Sequence, residues 1–73
     1  MSFDKLKGKI REQGMSQAKL AGEIGITAQA LNRKLNGKTQ FTLGEVVKIS
    51  DVLLITDPGD IFFDPSVSNM QHH

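Results

Sequence analysis

The sequence predicts an all-α domain of four to five helices. Apolar residues recur at spacings of three and four. Helix start and stop residues punctuate the chain at short intervals, and no stretch alternates convincingly with a period of two.

The first helix is expected over about residues 3–13, with Phe3, Leu6 and Ile10 on one stripe. Ser2 can cap it, Asp4 favours its positive end, and Gly14 can close it in the left-handed region. Ser16 caps a short second helix that buries Leu20, Ala21 and Ile24 and stops at Gly25. Ile26 must tuck inward, and Thr27 caps a third helix with Leu31 and Leu35 four apart. Gly37 ends that helix; "NRKL" and "KTQF" lack the alternation that a hairpin at Asn36-Gly37 needs. "TLGE" at Thr42–Glu45 is a capping box ahead of Leu43, Val46, Val47, Ile49, Val52, Leu53 and Leu54. This fourth helix is apolar over more than one face and is expected to be central. Asp57 and Pro58 open a short turn over Pro58–Phe62, and Ile61, Phe62 and Phe63 need cover.

The 73 residues fit one domain, expected over 1–65, with a flexible tail at 66–73. His72 and His73 resemble the remnant of a purification tag. There is no cysteine, which excludes disulfides and Cys-based metal sites and suits a reducing cytosol. No apolar run approaches the ~20 residues of a membrane span. "MSFDKLKGK" has no apolar stretch behind it and reads as no signal peptide. The net charge of +1 hides an asymmetry. Residues 1–38 carry eight basic residues against Asp4, Glu12 and Glu23, a net +5. Residues 39–73 carry Lys48 against Glu45, Asp51, Asp57, Asp60 and Asp64, a net −4. A basic half suits a polyanion or an acidic partner.

Only Gly25 and Ile26 separate the second and third helices, so the two must cross steeply. That is a helix-turn-helix unit, here at residues 16–37. Gly25 accepts a positive φ, and Ala21 is small where the helices approach. With Leu31 and Leu35 inward, Ala28, Gln29, Asn32, Arg33 and Asn36 face out. Gln and Asn can pair with adenine through two hydrogen bonds and Arg with guanine; Ala28 can touch a thymine methyl. Gln17, Lys19, Thr27, Lys34, Lys38 and Thr39 flank this face, where phosphates would lie. The plainer alternative is a solvated polar face; the coupling to the preceding glycine turn weighs against it.

"QAKLAGEIGITAQALNRKLNGKT" resembles the helix-turn-helix of the lambda-repressor-like group, which includes Cro and C1-type phage regulators. Gln17, Ala21 and Gly25 fall at the group's spacing, and Ile24, Ile26, Leu31 and Leu35 at its buried positions. The resemblance covers about residues 3–55. It implies a lambda-repressor-like DNA-binding domain that binds duplex operator DNA, usually as a two-fold homodimer, in the cytoplasm of a bacterial host. Many phage members carry Gln where this chain has Ala28, which changes the base contacts. "FDKLKGKI" and "DPGDIFF" are similar to small regulators of temperate phages.

Two functions compete on this reading. One is a sequence-specific, Cro-like repressor in a lysis/lysogeny switch. The other is an antirepressor, a modulator of repression that binds the cognate phage repressor, its acidic half suiting the partner's basic DNA-reading face. An enzyme is not expected. No base stands at a suggestive spacing from Ser16 or Ser50, and Asp57 and Asp60 lack an EF-hand ligand series. No cofactor or metal is implied.

Overall fold

The computed structural model describes residues 3–62 and places five helices in them: α1 (Asp4–Glu12), α2 (Gln17–Ile24), α3 (Ala28–Leu35), α4 (Leu43–Leu53) and α5 (Pro58–Phe62). Among the described residues there is no strand. Ser2, Phe63, the tail at 66–73 and the two histidines lie outside them.

Local chemistry sets the helix starts. Ser16 Oγ accepts from the Lys19 N–H at 3.0 Å, and Thr27 Oγ1 from the Ala30 N–H at 3.0 Å. The capping box closes in both directions: Thr42 Oγ1 accepts from the Glu45 N–H at 3.1 Å, and Glu45 Oε1 from the Thr42 N–H at 2.8 Å. Asp57 Oδ1 accepts from the Asp60 N–H at 3.4 Å, so α5 starts as the Asp-Pro pair predicts.

Two expectations need correction. First, α1 begins one residue late, with Phe3 at its N-cap and no side-chain cap. The Phe3 N–H instead donates to the Leu35 carbonyl at 3.0 Å, tying the start of α1 to the end of α3. Second, α4 is not wrapped on several faces. Val46, Ile49, Ser50 and Leu53 are buried, but Leu43, Val47 and Leu54 are 80%, 53% and 71% exposed. The reason is supply: α4 packs against α2 and α5, and the short helices leave its remaining side uncovered.

The core gathers Leu6 and Ile10 of α1, Leu20, Ala21 and Ile24 of α2, Leu31 and Leu35 of α3, and Ile49 and Leu53 of α4. Ile26 packs against it, as the sequence requires. Phe62 is covered by an aromatic trio: its ring lies 5.4 Å from Phe41 and 6.5 Å from Phe3, and Phe3 meets Phe41 edge-on at 5.2 Å. Such edge-to-face pairs add about 0.5–1.5 kcal/mol each beyond area burial. They join the start of α1, the α3–α4 loop and α5. No helix among the described residues is long and apolar enough to cross a membrane.

Candidate nucleic-acid interface

The site depends on how α2 hands over to α3. Gly25 lies at φ 84°, and the N–H of Ile26 turns back to the Ala21 carbonyl at 2.9 Å. A Cβ built at Gly25 meets nothing within 4 Å outside its chain neighbours, so the demand for glycine comes from its own φ rather than from crowding by another element. Thr27 then restarts the chain as α3. Ala21 is buried where α2 and α3 pack.

This places the predicted face as follows. Ala28, Gln29, Asn32 and Arg33 of α3 are exposed, and Asn36 is half-buried at its end. No side-chain bond within the described residues holds Gln29 or Arg33. Of the flanking residues, Lys19, Thr27, Lys38 and Thr39 are exposed and Gln17 is half-buried. Lys19 also pairs with Glu23 at 3.5 Å, one turn along the exposed side of α2.

Besides the Lys19–Glu23 pair and a bond from Asn32 Nδ2 to Gln17 Oε1 at 3.5 Å, two predicted contact residues, Lys34 and Asn36, are tied inside the molecule. Lys34 Nζ lies 3.2 Å from Glu45 Oε1 and donates to the Gln40 carbonyl at 3.0 Å. The pair is largely covered, with side-chain exposures of 14% and 15%. It ties the end of α3 to the start of α4 across the loop. Burial opposes ionisation of Glu45, but the Thr42 amide it accepts from and the Lys34 ammonium outweigh this and hold its carboxyl below the usual range. Asn36 is the other: Oδ1 accepts from Lys7 Nζ at 3.0 Å, and Nδ2 donates to Asn32 Oδ1 at 3.2 Å.

Lys7 carries no local signal that it belongs to this site, because it lies 29 residues from its partner Asn36. Glu45 was legible as a capping residue but not as the partner of Lys34. The charge pattern held both residues without pairing them.

A helix turned outward behind a glycine bend, with amide and guanidinium groups on its free face, defines a helix-turn-helix DNA-binding domain. The family model of the Cro/C1-type HTH DNA-binding domain matches residues 5–64, and the chain belongs to that family. It is a DNA-binding regulator by class. No curated protein and no solved structure matches the chain.

Proposed function

We propose that the chain is a Cro-like repressor of a temperate-phage lysis/lysogeny switch, with α3 lying in the major groove of an operator. The exposed, unengaged Gln29 and Arg33 on α3 carry this reading, since both side chains match base-edge patterns. Asn32 joins them as an adenine reader and Ala28 as a thymine-methyl contact. Lys19, Thr27, Lys38 and Thr39 hold phosphates, with Gln17 at the start of α2. Lys34 and Asn36 serve this face chiefly by positioning. The similarity of "FDKLKGKI" and "DPGDIFF" to small temperate-phage regulators supports the phage setting.

One domain offers few phosphate contacts, so the operator is bound as a two-fold dimer across half-sites about one helical turn apart. Leu43 and Val47 of α4, with Leu54 just past its end, are exposed and offer a second copy an apolar surface.

That same surface, with the net charge of −4 over residues 39–73, favours a second reading. Here the partner is the phage's main repressor, and its DNA-reading face is blocked. A mobility-shift assay on the phage's operator fragments, with and without that repressor, separates the two. A shift by this chain alone supports the repressor. A shift only together with the repressor, or loss of the repressor's own shift, supports the antirepressor.

A further inference from the structure

Lys7 stands on α1, outside the helix-turn-helix, yet its ammonium reaches α3. A chain of side-chain hydrogen bonds starts there. Lys7 Nζ donates to Asn36 Oδ1 at 3.0 Å, Asn36 Nδ2 to Asn32 Oδ1 at 3.2 Å, and Asn32 Nδ2 to Gln17 Oε1 at 3.5 Å. Three amides in a row can run in either direction, because each has a donor end and an acceptor end. An ammonium has donors only. Asn36 must therefore turn its oxygen to Lys7, which leaves its NH2 toward Asn32. Asn32 must answer with its oxygen, which sends its own NH2 toward Gln17.

We infer that Lys7 is a specificity-positioning residue: it sets the polarity of the Asn36–Asn32–Gln17 chain and so the amide edge that Asn32 presents to a base. The inference rests on the DNA reading above and deepens it. Asn32 uses one lone pair and one N–H within the chain. One of each remains, the complement of the adenine N6 and N7 edge. Reversed, the chain would turn the donor and acceptor ends of Asn32 around and break that match. The last bond leaves the Gln17 NH2 free to donate to a phosphate at the start of α2. The link to Lys7 is part-buried, so it forms in the free protein and does not wait for DNA.

The test replaces Lys7 with Met, which keeps the stem and removes the donors, with Gln, which can present either end, and with Arg, which has donors only. Binding is measured to a duplex selected from a randomised pool and to its single-base-pair variants. In the parent protein, the wrong base opposite Asn32 weakens binding by roughly tenfold or more. Lys7→Met and Lys7→Gln lose most of that preference, Lys7→Arg keeps it, and in an Asn32→Ala background Lys7→Met changes no preference at all. In the free protein, Lys7→Met shifts and broadens the side-chain NH2 resonances of Asn32 and Asn36. A uniform loss of affinity in Lys7→Met, with the base preference intact, makes Lys7 a mere phosphate contact and overturns the inference. Unmoved NH2 resonances overturn it too. A parent chain that binds no duplex removes the DNA reading and this role with it, while a selective parent with an equally selective Lys7→Met removes this role alone.

Discussion

In the proposed function, Arg33 is the residue on which base reading leans most. It is exposed, nothing within the described residues holds it, and its fork matches the guanine edge. Arg33→Ala should weaken specific binding by about 1–3 kcal/mol and relax selectivity at one base pair. Unchanged affinity across single-base variants would place the contact elsewhere. Glu45 works in the other direction, inside the domain. Its folded pKa lies below the ordinary value of 4.5, so the stability its charge contributes is complete above that pH. That contribution is lost as pH falls through the lower folded value. Glu45→Gln keeps an oxygen for the Thr42 N–H but drops the pairing with Lys34. Denaturant unfolding should therefore show the parent as the more stable at pH 7, with the gap closing in acid below about 4.5. A gap independent of pH would deny the ion pair a role. Lys34 was legible in the sequence as a basic residue beside the recognition face, but its partner was not. Charge alone does not say whether an ammonium turns to solvent or to a carboxylate eleven residues on.

At the scale of elements, the helix ends tell most. Gly25 sits at φ 84° and Leu54 at φ 57°, and each closes a helix in the left-handed region. At Gly25 any side chain is strained by its own backbone, so Gly25→Ala should destabilise by about 1 kcal/mol, and a β-branched residue by more. At Leu54 the strain is already present, and the side chain is 71% exposed. Leu54→Gly should therefore stabilise the fold by about 1 kcal/mol in denaturant unfolding. No gain would mean that Leu54 packs better than its exposure indicates. Gly22 lies within α2, with open space where a Cβ would go. Gly22→Ala should add about 0.5–1 kcal/mol. The five helices and most of their caps were readable because capping residues act over three or four positions of local sequence. The outer face of α4 was not. Its pattern states how much apolar surface exists, while the neighbours available to cover it are a tertiary fact. The start of α1 differs from the local pattern for a similar reason: the distant Leu35 carbonyl, and not a local cap, takes the Phe3 N–H.

For the whole molecule, charge and shape act together. Residues 1–38, which hold the helix-turn-helix, carry +5, and residues 39–73 carry −4. DNA affinity should fall steeply with salt, and Lys38→Ala should reduce the log–log slope by about one without altering base preference. An apolar surface on α4 fits dimerisation, so Val47→Asp should shift sedimentation equilibrium toward monomer and weaken operator binding without changing the preferred motif. If Val47→Asp leaves the association state and affinity unchanged, α4 is not a dimer surface.

The central claim is that the outward face of α3 reads base pairs. The most direct measurement is enrichment of duplexes from a randomised pool by the parent chain and by Arg33→Ala, sequenced in parallel. The account predicts a defined motif for the parent and the same motif with one base pair made degenerate for the variant. Identical motifs from both proteins, or no enriched motif from the parent, would contradict it.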